Sequence, residues 1–203
     1  MRIGIIDYGM GNIHSVKKAI EFWGGKTKII RNHKELNYVD KLILPGVGAF
    51  GDALNNLKKI KLYEPLLEYL NNNKIFLGIC LGMQILFEKS QEAKNKKGFS
   101  IFKGEILRFN SKGNLKVPHM GWNNLIFKNK DCPLLKGISD GAYVYFCHSF
   151  YPKVYDKKIV CATTRYGIEF ASVIQDANIF GLQFHPEKSQ SVGLKIIKNF
   201  VKL

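Results

Sequence analysis

The 203-residue sequence has no CxxC pair, no internal repeat and no low-complexity linker. It also lacks any apolar run near the roughly 20 residues that a membrane helix requires. Its four cysteines (Cys80, Cys132, Cys147, Cys161) are scattered, and none is spaced with histidines as a zinc ligand set would be. A metal finger or disulfide framework is therefore not expected, and neither is a metal or other cofactor. Arginine is scarce. Of 31 basic residues only four are arginine (Arg2, Arg31, Arg108, Arg165), although the formal net charge is +15. Sequence-reading nucleic-acid binders rely on arginine forks carried by a recognisable module, and both are missing, so no nucleic-acid partner is expected. The scattered lysines read as solvated faces, which could help to capture an anionic substrate or an acidic partner. The opening "MRIGIIDYG" carries Asp7 and glycines where a leader would continue its apolar run. It reads as a first strand, and the protein as cytoplasmic.

With 46% hydrophobic and 23% charged residues, the chain reads as one globular domain spanning residues 1–203. Its first 90 residues alternate. "RIGIID", "TKII", "KLILP" and "IFLGI" are strand-like runs. "GNIHSVKKAIEFWGG" places Ile13, Val16, Ile20 and Trp23 at helical spacing before a glycine stop. "FGDALNNLKKI", "LYEPLLEYLNN" and "LGMQILFEKS" also read as helices, the second starting near Pro65. Such alternation predicts parallel strands joined by crossover helices, and strands apolar on both faces predict a sheet covered on both sides. From Phe99 the pattern changes to successive strand-like runs, among them "FSIFKGEILRF", "YVYFCHSF" and "IFGLQF", closed by the amphipathic "SVGLKIIKNFVKL". The fold class is α/β, with a mostly parallel central sheet, flanking helices and an antiparallel β extension.

Within "KIFLGICLGMQ", Cys80 stands between Gly78 and Gly82 where a strand-like run becomes helix-like. The spacing is that of the G-x-S-x-G nucleophile elbow with cysteine in place of serine. The glycines leave room for a sharp turn, and a helix beginning at Leu81 would aim N–H groups at the sulfur, favouring thiolate and able to stabilise an oxyanion. Equally, a lone cysteine in an apolar run can be a small core residue.

A thiolate nucleophile needs a base. His14 and His33 lie in exposed-looking segments. His185, in "LQFHPEKS", ends an apolar run, with Pro186 beside it and Glu187 two residues on, a carboxylate placed to orient an imidazole. His148, in "YFCHSF", is the rival. A second glycine-rich turn, "LPGVGAFGD", follows the strand "KLIL". It lacks the phosphate-loop pattern but could bring backbone amides to a ligand.

Taken in order, "PGVGAF", "GICLGMQ" and "HPEKS" resemble the class I, triad-type glutamine amidotransferases, whose flavodoxin-like fold matches the class read above. "IGIIDYGMGNIHSV" and "VPHMGWN" are similar to the branch formed by glutaminase subunits of imidazole glycerol phosphate synthase. The resemblance implies a Cys80 thioester formed with glutamine, with His185 and Glu187 completing the catalytic set. It implies an oxyanion site from Leu81, Gly46 and Val47, and a glutamine pocket from Gly48, Gln84, Glu92 and the backbone of Ser149 and Phe150. It further implies a (β/α)8-barrel cyclase partner that receives the ammonia in histidine biosynthesis. His119, Met120 and Trp122 would lie on that interface, with Lys188 near the ammonia exit. On its own pattern Trp122 reads as a core residue.

Two stretches depart from the pattern. "HSF" carries Phe150 where many relatives have tyrosine, and "KSQEAKNKKGFSIFKGEI" differs from the usual "GLGLI" type of run. A paralogous glutaminase feeding a sugar amidotransferase in surface-glycan synthesis therefore stands as an alternative. A non-enzymatic elbow-cysteine redox sensor or chaperone is the alternative of another class.

Overall fold

The computed structural model describes residues 2–110 and 115–203. In chain order the elements are β1 (Arg2–Ile6), α1 (Ile13–Phe22), β2 (Lys26–Ile30), β3 (Lys41–Gly46), α2 (Phe50–Lys59), α3 (Tyr63–Asn71), β4 (Phe76–Cys80) and α4 (Leu81–Gln84). Then follow β5 (Phe87–Ser90), β6 (Phe102–Arg108), β7 (His119–Asn124), β8 (Ile126–Phe127), β9 (Tyr143–His148), β10 (Phe150–Val154), β11 (Val160–Tyr166), β12 (Ile168–Asp176), β13 (Ile179–Leu182) and α5 (Gln190–Lys202).

An eight-stranded sheet in the order β2-β1-β3-β4-β13-β12-β11-β8 forms the frame. Its members from β2 to β13 pair in parallel, and β12, β11 and β8 continue it antiparallel. A three-stranded sheet (β10-β6-β5) and the antiparallel pair β7-β9 complete the β extension. The strand period divides the core in two. Leu42, Leu44 and Phe76 pack with Leu54, Leu57 and Leu66 of α2 and α3 on one face. Ile43, Leu77 and Ile79 pack with Val16 and Ile20 of α1 and Ile196 and Phe200 of α5 on the other. Strands buried on both faces are what covering helices require, so the continuous apolar runs of β3 and β4 have their physical reason. A lysine also enters this core. Lys41, 1% exposed, donates from Nζ to the carbonyl oxygens of Phe200 and Val201 at 2.9 and 3.0 Å, closing the C-terminal end of α5 with a cation.

Two helix expectations are corrected. The segment "LGMQILFEKS" is helical only over Leu81–Gln84, and Phe87–Ser90 is a strand paired in parallel with β6. Every residue from Leu81 to Phe87 is buried, so the stretch has no polar face to give it a helical period, and the chain instead crosses the interior to a ladder partner. The third helix begins at Tyr63, with Pro65 inside its first turn, where the missing N–H costs nothing.

Candidate active site

β3, β4 and β13 are adjacent parallel strands whose carboxyl ends converge. Gly46 closes β3 in register with Cys80 at the end of β4, and Leu182 of β13 is in register with Ile79. Three consecutive outlets of the sheet thus deliver the "PGVG" turn, the thiol and the "QFHPE" segment to one place, at the edge where α/β sheets hold their ligands.

Cys80 has φ 54° and ψ −108°, a conformation rarely adopted by a side-chain-bearing residue. The flanking glycines make this turn possible through space rather than through their own φ. A Cβ on Gly82 would stand 1.8 Å from the Leu44 carbonyl oxygen, and one on Gly78 would stand 2.5 Å from that of Gly82. The helix after the elbow is a single turn. It presents amides, but its few aligned peptide dipoles give less help to a thiolate than the longer helix expected from sequence.

His185 is 3% exposed, and its Nδ1 lies 2.9 Å from Glu187 Oε1. Burial by itself lowers the imidazole pKa, but hydrogen bonds to Cys80 and Glu187, together with their charges, outweigh it and raise the value to about 10. His185 therefore holds a proton between a sulfur and a carboxylate. Its backbone is pinned as well. Its N–H donates to the Tyr145 carbonyl at 2.9 Å, and its carbonyl accepts from Ser189 Oγ, which in turn accepts from the Tyr145 N–H. The sulfur has a further neighbour, Gln183, whose Nε2 lies 3.7 Å away.

A cavity of about 310 Å³ opens over Cys80 and is lined by Val47, Gly48, Leu81, Gln84, Glu92, Ser149, Phe150, His185 and Lys188, with Pro118, Cys147 and His148. Sequence reasoning placed most of these residues in one site. Gln84 is held at its floor, donating from Nε2 to the Phe150 carbonyl at 2.9 Å and to Gln183 Oε1 at 3.1 Å. Glu92 accepts from the Phe50 N–H at 2.7 Å, a carboxylate at the start of α2. The Ser149 carbonyl is taken by the Phe109 N–H. The Lys188 ammonium stands 6.0 Å from the Tyr145 ring centroid.

His148 does not serve the thiol. Its Nδ1 faces the Phe150 carbonyl at 2.7 Å and its Nε2 faces His119 at 3.0 Å. His119 requires a correction. It is 3% exposed and turns inward, so it does not form part of a contact surface, because the strand period sends it to the face opposite Met120 and Trp122. Those two are 61% and 45% exposed, which also removes Trp122 from the core.

Gln183, Ser189 and Tyr8 were missed. Tyr8 is buried, and its hydroxyl would meet a Cβ on Gly46 at 2.6 Å. Burial, then the charge at Cys80, hold its phenol far above the usual range. Among the described residues, no group of three or more His, Cys, Asp or Glu is placed to hold a metal ion, and no helix is long and apolar enough to cross a membrane.

The family model for glutamine amidotransferase class-I matches residues 4–203. The chain belongs to that family. The protein is an enzyme subunit that hydrolyses glutamine. Among curated relatives, imidazole glycerol phosphate synthase subunit HisH of Caldanaerobacter subterraneus subsp. tengcongensis is 53% identical, the alignment covering 98% of this chain and 96% of the relative. The protein of the same name from Methanocaldococcus jannaschii is 50% identical over 99% of both chains. A solved structure of PurLQS from Thermotoga maritima superposes with a TM-score of 0.77 over 99% of this chain and 97% of its own, at 22% identity. That structure shares the fold.

Proposed function

We propose that residues 1–203 form one glutaminase domain, the subunit of an imidazole glycerol phosphate synthase that hydrolyses glutamine and delivers ammonia to a (β/α)8-barrel cyclase partner in histidine biosynthesis. The observation that carries this reading is the near-full-length identity of 53% to a relative of that name, in a chain whose Cys80, His185 and Glu187 stand together.

In this reading Cys80 Sγ attacks the side-chain amide carbon of glutamine. The C–N bond breaks as His185 gives its proton to the departing ammonia, leaving a γ-glutamyl thioester. Water then attacks the thioester, His185 takes the water's proton, and glutamate leaves as the sulfur is released. Glu187 keeps the imidazole oriented and supports its charge. The Leu81 amide and the Gly46–Val47 turn receive the oxyanion. Gly48, Gln84 and the backbone of Ser149 and Phe150 hold the glutamine, and the Glu92 carboxylate answers its α-ammonium. Lys188, at the cavity rim, stands where ammonia departs. Met120 and Trp122 offer the apolar surface for the barrel.

The test is glutamine hydrolysis by the purified chain, alone and then with a barrel cyclase and its ribonucleotide ligand. Strong stimulation by the liganded partner, reduced about 10³-fold or more by Cys80→Ala, is expected. Absence of stimulation, with a glutamine-analogue inhibitor still labelling Cys80, would overturn the pathway and turn the reading to the sugar-amidating paralogue.

A further inference from the structure

Two buried histidines take no part in the chemistry above, yet they connect its pocket to another strand. His119 Nδ1 lies 3.0 Å from His148 Nε2, and His148 Nδ1 lies 2.7 Å from the Phe150 carbonyl oxygen. At the other end Asn123 Nδ2 lies 3.3 Å from His119 Nε2 and also donates to the Arg165 carbonyl at 3.0 Å. The ends fix the direction of the chain. A carbonyl oxygen only accepts, so His148 Nδ1 carries hydrogen and its Nε2 accepts. His119 Nδ1 must then donate, leaving its Nε2 to accept from the amide of Asn123. Both rings are neutral, with the proton on Nδ1, and an added proton on either ring would break a link.

The surroundings support this pattern. Burial pushes His119 down to about 4. Burial also takes His148 down to about 3, against the opposing pull of its bond to Phe150. The His119 ring is stacked between Phe146 and Tyr166, with centroids 4.7 and 4.0 Å away, so it cannot swing without losing both faces. The chain ends on an atom of the pocket, because the Phe150 carbonyl is the same one that accepts from Gln84 Nε2. It begins on β7, whose alternate residues Met120 and Trp122 face outward.

We propose that His119 and His148 are positioning residues, a neutral one-way hydrogen-bond chain that runs from Asn123 on β7 to the Phe150 carbonyl and, through it, sets Gln84 in the substrate pocket. The substrate in this proposal, glutamine, rests on the reading given under the proposed function; the direction of the chain rests on geometry alone. The pair acts on the wall of the pocket and not on the sulfur, so its loss weakens glutamine binding more than it slows the chemical step.

The test combines kinetics of the complex with the barrel partner and long-range ¹H–¹⁵N correlation of the imidazoles at neutral pH. In the wild type both rings are expected as Nδ1–H tautomers. His119→Phe keeps the stacking and removes the donor, and is expected to raise KM for glutamine about 3- to 10-fold with kcat within about twofold. His119→Asn, whose side-chain amide reaches the position of Nδ1, is expected to restore most of that loss. A proton on Nε2 of either ring, an unchanged KM in His119→Phe, or a His119→Asn variant as impaired as His119→Phe would overturn the proposal. Where His119→Phe fails to fold, the wild-type tautomers still decide. A wild-type complex that neither hydrolyses glutamine nor is labelled at Cys80 would instead overturn the glutaminase reading, and the tautomer measurement would decide the chain independently.

Discussion

The side-chain amide of Gln183 donates to Sγ of Cys80 at 3.7 Å. The same side chain accepts from Gln84 Nε2 through Oε1, and the residue is fully buried, so one amide links the nucleophile to the pocket floor. Gln183→Leu keeps most of the volume but removes the donor at the sulfur and leaves one N–H of Gln84 unpaired. Stability is expected to fall by about 1–3 kcal/mol in urea unfolding, and kcat/KM for glutamine by about tenfold. Unchanged values for both would show the link to be idle.

A pH dependence follows from His185. Its pKa, about 10, stands above the ordinary histidine value, so the folded chain binds this proton more tightly than the unfolded one. The stabilisation it brings is whole below the unfolded pKa near 6.5 and is lost as pH rises through about 10. Glu187→Gln removes one of the charges that hold the proton. The stability gap between wild type and Glu187→Gln is expected to be widest at pH 6 and to narrow steadily toward pH 10. Denaturant midpoints across that range would check it, and a gap that widened with pH would contradict the assignment.

Much of this site was legible because its chemistry is local. Cys80 between two glycines and His185 two residues before Glu187 are short patterns whose spacing carries the meaning. The alternating strands and helices before residue 90 likewise announced a parallel sheet. Gln183 was not legible, since a glutamine in an apolar strand gives no sign of which neighbour it will face. Ser189 ties His185 to Tyr145 across a long sequence separation, and Tyr8 meets Gly46 only once β1 and β3 are paired. The inward turn of His119 depended on which face of β7 was covered. The helix expected over Leu81–Ser90 failed for the opposite reason, as a mostly apolar stretch that is buried from Leu81 to Phe87 fits either state until a partner strand is available.

Glycine replacements separate crowding from flexibility. Gly82→Ala would force a methyl group into the Leu44 carbonyl, and is expected to destabilise the chain by about 3 kcal/mol or more and to abolish labelling of Cys80. Gly51→Ala, in α2, meets nothing closer than 3.4 Å and is expected to be neutral or to stabilise by up to about 1 kcal/mol. Thermal unfolding of the two variants side by side is the check.

Trp122 packs edge-on against Tyr145, with centroids 6.0 Å apart, but nearly half of it is open to solvent. Trp122→Ala and Met120→Glu are expected to change the stability of the free chain by no more than about 0.5 kcal/mol. Under the proposed function, Trp122→Ala is expected to weaken association with a (β/α)8-barrel partner about tenfold or more. Titration of partner binding, with melting curves of the free variants, would separate the two effects.

The position of β13 bears on how the protein comes into being. This strand comes after the other named strands in sequence, yet it lies between β4 and β12 in the middle of the sheet, and His185 follows shortly after its end. A growing chain has the residues of the cysteine elbow long before it has the histidine to go with it, and the seat for β13 beside β4 stays open until Ile179–Leu182 has been synthesised. A chain that stops short of β13 therefore has the residues of the elbow and an unpaired edge of β4, but neither His185 nor Glu187.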